Sequence, residues 1–310
     1  MNVLSLFDGI SCGRVALERL GIDVKTYYAS EIEKNAIKVS QKNYPEIIKL
    51  GSIVGLTPPN NIDLLIGGSP CTDLSIAKKE RKGLDGEHSR LFWEYIRIKK
   101  ECNPKWFILE NVNSMSKEAK EIITKEMGVE PIMINASLVS AQSRKRLFWT
   151  NIPVVGLPED KGILLKDILQ PDAEIDERMT SNGKAFCIDA SYSKGSSLEH
   201  SIKKKVRTMV RIGREIGRHL NAEGKREDKA NIPITRRIEI RNDDKCGTLT
   251  SVTKDNLVVS DTVRKLTPIE CERLQGLPDN YTECIANTNR YKCLGNAFNV
   301  DVICYILSFI

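Results

Sequence analysis

Apolar positions in the first half of the chain fall into strand-length runs separated by stretches with helical spacing. Val3 to Phe7, Lys25 to Ala29, Ile47 to Leu50, Ile62 to Ile66, Trp106 to Leu109 and Ile132 to Ile134 read as strands. Most end in glycine, an acid or a polar turn: Asp8-Gly9, Ser30-Glu31, Gly51-Ser52, Gly67-Gly68 and Glu110-Asn111. Between them, Val15, Ala16, Leu17 and Leu20 mark one helix face, and Lys34-Asn35-Ala36-Ile37 begins a second helix. Leu91, Phe92, Tyr95, Ile96 and Ile98 mark a third, and Ala119 to Met127 a fourth. The alternation predicts an α/β fold with helices packed on a mostly parallel sheet. Gln142 to Trp149 reads as a further strand on which Arg144 and Arg146 share a face. Near the C-terminus, Leu266 to Gln275 predicts a helix supported by an i,i+3 pair, Glu270 with Arg273. Val300 to Ile310 predicts an apolar terminal helix that returns to the N-terminal sheet.

The chemistry gathers where these strands end. Ser69-Pro70-Cys71 leaves the Ile62–Ile66 strand on a loop in which Pro70 fixes its own φ and biases Ser69 toward extended geometry. A cysteine at the carboxyl end of a parallel strand lies where open α/β sheets bind ligands, so Cys71 is a candidate nucleophile. Taken alone, a cysteine is more often a small buried hydrophobe. The Asp8-Gly9-Ile10-Ser11-Cys12-Gly13 turn suits close approach of a nucleotide-like ligand, yet its spacing is not Gly-x-Gly-x-x-Gly and a plain tight turn would look the same. Glu31 follows about 20 residues later, where an acid can accept from ribose hydroxyls or simply favour a helix N-terminus. Glu110, after four apolar residues, is placed to hold or donate a proton. Lys78 to Gly86 is a charged, glycine-bearing loop beside Cys71, suited to closing over a substrate.

Composition narrows the classes. The 310 residues, 41% hydrophobic, support one large or two unequal domains, and no run reaches the ~18–20 apolar residues of a membrane span. Nine cysteines without a Cys-x-x-Cys pair, beside three histidines, argue against zinc and disulfide frameworks and for a reduced, cytoplasmic protein without a metal. Charge is uneven. Lys184 to Arg241 carries 15 Lys/Arg against 7 Asp/Glu, an excess larger than the net +6 of the whole chain. That basic segment suggests a polyanionic partner, although solvated lysines explain many such runs.

Phe7-Asp8-Gly9, Glu31, Ser69-Pro70-Cys71, Glu110-Asn111-Val112 and Gln142-x-Arg144-x-Arg146 stand in the order and spacing of the DNA cytosine-5 methyltransferases. The resemblance continues in Arg264-Lys265-Leu266-Thr267 with Glu270-Cys271-Glu272-Arg273-Leu274-Gln275-Gly276-Leu277-Pro278, and in Gly295-Asn296-Ala297. It covers all but the middle of the chain and looks closest to phage and bacterial members related to the animal de novo enzymes. It implies a Rossmann-like S-adenosylmethionine-dependent methyltransferase domain over 1–151 and a smaller target-recognition domain over 152–263. Residues 264–310 would then return to the first domain.

The resemblance also implies site roles. Cys71 would add to C6 of a flipped-out cytosine, Glu110 would hold N3 and the 4-amino group, and Arg144 would contact O2. Arg146 would support the site or the phosphate backbone. S-adenosylmethionine would meet Phe7, Asp8, Gly9, Ile10, Gly13, Glu31, Ile32, Ser52, Ile53, Pro70 and Asn296. Ser52 departs from the Gly-Asp of many relatives, which puts the contact to the adenine amino group in doubt. In the middle, Lys203, Lys204 and Lys205 fit phosphate tracking. Arg236, Arg237 and Arg241 are candidates for reading guanines, or for plain solvated surface. Thr248-Leu249-Thr250 resembles the end of the family's recognition region, near the flipped base. The partner implied is double-stranded DNA, modified in a sequence-specific manner by a monomer of bacterial or phage origin. An RNA methyltransferase of the same chemistry would carry a Cys-Phe-Thr motif, which is missing here. A catalytically dead DNA-binding module would have no reason to keep Cys71, Glu110 and Arg144 together.

Overall fold

A computed structural model describes residues 1–70, 91–171, 173–175, 177–194, 198–205, 207–212, 215–219, 234–238 and 263–310. Seven strands form one sheet: β1 (Asn2–Leu6), β2 (Thr26–Ser30), β3 (Ile48–Gly51), β4 (Leu64–Gly67), β5 (Trp106–Val112), β6 (Ile132–Asn135) and β7 (Lys145–Thr150). Their order is β3-β2-β1-β4-β5-β7-β6. β1 pairs in parallel with β2 and β4, as do β2 with β3 and β4 with β5, while β7 runs antiparallel between β5 and β6. The expected mostly parallel sheet is present. Its strand order reverses between β1 and β4, and open α/β sheets bind ligands in the crevice at the carboxyl ends of such a pair.

Alternation along each strand feeds two cores. Val3, Leu64 and Ile66 face one side; Leu4, Leu6 and Leu65 face the other, all fully buried. Helices α1 (Cys12–Arg19), α2 (Lys34–Asn43), α3 (Leu91–Cys102) and α4 (Lys117–Met127) supply the covering side chains. α1 contributes Val15, Ala16 and Leu17 to the first cluster, whereas α3 contributes Phe92, Tyr95, Ile96 and Ile98 to the second. Gly67 is required by α3: a Cβ there would lie 2.8 Å from the Tyr95 ring.

The middle of the chain holds β8 (Ala173–Ile175), the hairpin β9 (Thr180–Ser181) and β10 (Lys184–Ala185), and α5 (Leu198–Lys204). It continues with β11 (Met209–Ile212), β12 (Glu215–His219), β13 (Ile234–Ile238) and β14 (Val263–Lys265). A three-stranded sheet runs β14-β11-β8, and β12 pairs with β13. Leu165, Ala185, Ile188, Tyr192 and Val210 lie in the same core as α1 and the sheet. These residues pack with side chains from before position 151, and β14 spans positions 263–265.

The C-terminal segment contains α6 (Pro268–Leu274), α7 (Asn287–Asn296) and α8 (Val300–Leu307). α6 starts at Pro268 because Thr267 caps it and Glu270 closes a capping box. The expected Glu270–Arg273 pair does not form. Glu270 points into the core and takes Arg264 at 2.8 Å, while Arg273 faces outward to Asp279 at 2.6 Å. α8 packs on α1 as its apolar pattern predicts, with Arg19 bonded to Asp301 at 2.8 Å. Among the described residues, no helix is long and apolar enough to cross a membrane, and no His/Cys/Asp/Glu cluster could hold a metal.

Candidate active site

The turn after β1 is built from backbone in the left-handed region, with φ of 57° at Phe7, 61° at Gly9 and 63° at Ser11. This geometry turns the chain sharply at the crevice. The Gly9 N–H donates to Glu31 Oε2 at 2.8 Å, and the N–H groups of Ile32 and Glu33 donate to Oε1 at 2.7 and 2.8 Å. Three backbone donors thus fix a carboxylate at the end of β2. Beside it, Ile32 leaves an apolar side chain 71% exposed at the rim. From the far end of the chain, Lys292 pairs with Glu33, which draws α7 and its exposed last residue Asn296 toward the same turn.

Phe7, Gly9, Glu31, Ile32, Pro70 and Asn296 remain open to a ligand. Of the other expected cofactor residues, Asp8, Ile10, Gly13 and Ile53 are buried and Ser52 is exposed. Asp8 is buried and accepts from Ser11 Oγ at 2.6 Å and from the Tyr27 hydroxyl at 2.9 Å, and burial pushes its carboxyl above the usual range. Ile10 and Ile53 are core residues. Gly13 lies where a Cβ would come within 3.0 Å of the Tyr27 hydroxyl, so it serves helix–sheet packing. Ser52 turns its hydroxyl onto the Val54 N–H at 3.1 Å.

At the carboxyl ends of β4 and β5 stands an ion pair. Arg146 Nε lies 2.8 Å from Glu110 Oε1, both side chains largely buried. They line one cleft with Phe148, Phe298 and Asn299. Gly68 is needed there: a Cβ would sit 2.7 Å from the Phe298 ring and 3.2 Å from Glu110 Oε2. Asn111, buried next to Glu110, donates to Ser69 Oγ at 3.1 Å and so holds the turn that leads through Pro70 into Cys71. Cys71 itself, like the Lys78–Gly86 loop, lies outside the described residues.

The two arginines have different partners. Arg144 precedes β7 and is buried, its Nη1 donating to Ile188 O at 3.0 Å and its Nη2 to Gly295 O at 3.1 Å and Ala297 O at 3.0 Å. Burial lowers its pKa from the ordinary arginine value. Its terminal nitrogens bond these carbonyls and the Cys187 sulfur, while the side chain also lines the cleft; the arginine paired with Glu110 is Arg146. Strand periodicity puts both on one side but cannot tell which one reaches the carboxylate.

Of the expected DNA contacts, Lys203, Lys204 and Lys205 are exposed at and just after the end of α5. Arg236 and Arg237 lie on β13. Arg241, Thr248, Leu249 and Thr250 lie outside the described residues.

The sequence model of the family described as C-5 cytosine-specific DNA methylase matches residues 1–310. The chain belongs to that family. Type II methyltransferase M.HhaI of Haemophilus parahaemolyticus is 28% identical over 327 residues, covering 99% of this chain and 93% of the relative. M1.ScrFI of Lactococcus lactis subsp. cremoris is 26% identical over 314 residues, covering 97% of this chain and 76% of the relative. In fold, the chain is similar to a crystal structure of Spodoptera frugiperda DNMT2, with TM-score 0.63, 19% identity, and coverage of 99% of this chain and 98% of that one. The S. pombe Dnmt2 methyltransferase gives TM-score 0.59 at 15% identity, with 99% and 97% covered.

The protein is thus a DNA cytosine-5 methyltransferase, and the methylase places several residues in the site that sequence reasoning passed over. Phe298 walls the cleft, Asn111 anchors the Ser69 turn, and Gly295 admits the backbone of Asp189 and Ala190, which would lie 2.2–2.4 Å from a Cβ. Gln142 accepts from the Ile188 N–H at 3.1 Å. Asn111, Gln142 and Gly295 belong to motifs that stand out in the sequence. Their contacts span 42 to more than 100 positions, which local patterns do not encode.

Proposed function

We propose that the methylase moves the methyl group of S-adenosylmethionine to C5 of a cytosine flipped out of duplex DNA, through a transient bond between Cys71 Sγ and C6. The observation that carries this reading is the Glu110–Arg146 pair, 2.8 Å apart, beside the turn that Asn111 holds ahead of Cys71. Cytosine C5 is too weak a nucleophile unaided. Addition of the Cys71 thiolate to C6 turns the ring into an enamine, whose C5 can then take a methyl group; loss of the C5 proton and of Cys71 restores the ring. Glu110, held by Arg146 through Oε1, presents its carboxyl to N3 and the 4-amino group. Arg146 stabilises charge that develops at O2. None of these atoms is reachable in a stacked duplex, hence the flipped base.

S-adenosylmethionine supplies an electrophilic methyl group on a sulfonium. The crevice between β1 and β4 fits it chemically: the anchored Glu31 carboxylate suits ribose hydroxyls, and exposed Ile32 suits an adenine face. Asn296 and the backbone of Phe7 and Gly9 complete the surround. The lysines that end α5 suit phosphate contacts.

The test is transfer of labelled methyl from S-adenosylmethionine to unmethylated duplex DNA by the wild type and Cys71→Ala, with tRNA in parallel. Label in DNA from the wild type alone is expected, and bisulfite mapping then gives the target site. Label in tRNA alone, or equal label from Cys71→Ala, overturns the reading.

A further inference from the structure

We propose that Arg144 is a positioning residue which locks the recognition segment and the C-terminal segment around the cofactor end of the pocket, so that its loss weakens cofactor binding even without DNA. This inference rests on the proposed use of S-adenosylmethionine with Asn296 at its site.

Three separate parts of the chain meet at this guanidinium. Arg144 belongs to the turn between β6 and β7: its N–H donates to Asn135 Oδ1 at 2.8 Å, and its carbonyl accepts from the Ala136 N–H at 3.0 Å. Its Nη1 reaches the middle of the chain, at Ile188 O (3.0 Å) and Cys187 Sγ (3.3 Å). Its Nη2 reaches the C-terminal segment, at Gly295 O (3.1 Å) and Ala297 O (3.0 Å). Those last two carbonyls flank Asn296, whose own side chain is left exposed. Gripping the chain on both sides of one residue fixes the direction in which that residue points. Two residues beyond Asn296, Phe298 packs over Gly68 and lines the cleft with Glu110, Arg144 and Arg146.

The joint has little slack. At Gly295 the backbone of Asp189 and Ala190 lies within 2.4 Å of where a Cβ would be. A planar guanidinium can donate to several carbonyls in fixed directions at once, which a lysine ammonium on a flexible stem does not reproduce. Arg144 lines the cleft beside Glu110 and Arg146, and the contacts above hold both of its terminal nitrogens, whereas Arg146 is the arginine 2.8 Å from Glu110.

The experiment is calorimetric titration of S-adenosylmethionine into the full-length wild type and Arg144→Lys in the absence of DNA, with trapping on 5-fluorocytosine duplex as a second readout. Thermal melts establish that each variant is folded. Arg144→Lys is expected to raise the cofactor Kd by about tenfold or more, as loss of charge-assisted bonds does. Its effect should largely vanish in an Asn296→Ala background, because both changes act through one contact. An unchanged cofactor Kd with trapping abolished would mean that Arg144 touches the base, and overturns the inference. Equal effects in both backgrounds, the mark of a purely structural role, also overturn it. If Arg144→Lys does not fold, Arg144→Gln is titrated in the same two backgrounds: an effect that vanishes with Asn296→Ala supports the inference, and an unchanged cofactor Kd or equal effects in both backgrounds sink it. A wild type that fails to bind S-adenosylmethionine would instead refute the underlying function.

Discussion

Asp8 shows how one residue in the glycine turn serves the site without facing it. Its two oxygens accept from Ser11 and Tyr27, so the carboxyl braces the left-handed turn from beneath. Burial raises its pKa above the ordinary 3.8. The folded state therefore binds this proton more tightly than the unfolded chain. The stabilisation is complete below the unfolded value and is lost as pH rises through the folded one. Asp8→Asn removes the ionisation while keeping an acceptor for Tyr27. Its urea-unfolding free energy relative to wild type should climb as pH rises from about the ordinary carboxylate value, and a difference flat with pH would show that the Asp8 pKa is not raised by folding.

At the scale of the element, α6 is a seven-residue helix set by its first turn. Thr267 accepts from the Glu270 N–H at 3.2 Å, and Glu270 in return accepts from the Thr267 N–H at 2.7 Å. Glu270 also accepts from the Gln170 N–H and from both terminal nitrogens of Arg264, tying α6 to β14 and to the loop before β8. Thr267→Ala should cost about 1 kcal/mol, the usual value of a lost N-cap. Glu270→Ala should cost about 3–5 kcal/mol, because it removes a buried anion from several donors at once. Arg273→Ala, on the solvent side of the same helix, should cost under about 1 kcal/mol. Chemical denaturation of the three variants checks the ranking. Helix spacing alone pairs Glu270 with Arg273, and the structure reverses this because the buried partner comes from another strand.

Across the whole molecule, α8 joins the two ends of the chain. Val300, Val302, Ile303, Ile306 and Leu307 enter the core that α1 and β1 also build, and Tyr281 donates its hydroxyl to Ile10 O at 2.8 Å. Phe298, between α7 and α8, is thereby carried onto Gly68, 230 positions earlier in the chain. Ile303→Ala should lower stability by about 2–5 kcal/mol, the range for emptying a fully buried aliphatic site. Val155→Ser, at a side chain 77% exposed, should change it by less than about 0.5 kcal/mol. Urea midpoints at constant m-value measure both, and equal shifts would contradict the packing of α8.

The sequence by itself determined the alternation of strands and helices, the return of the apolar C-terminal helix, and the residue types at the strand ends. Each follows from short-range periodicity or from a motif read along the chain: Val3 to Phe7 with its glycine turn, Glu31, Glu110 and the paired arginines were all legible. Only the tertiary structure decided which of those side chains are buried and which stay exposed. Asp8, Ile10, Gly13 and Ile53 sit in the same short stretches as Phe7, Gly9 and Ile32, and burial against other elements separates the two groups. It also gave Arg144 and Arg146 different protein partners. Two residues apart on one face, they look equivalent in sequence, and what separates them is partners at Ile188, Gly295 and Ala297 that fold from distant positions. Local pattern fixes where a side chain starts; long-range packing fixes what it meets.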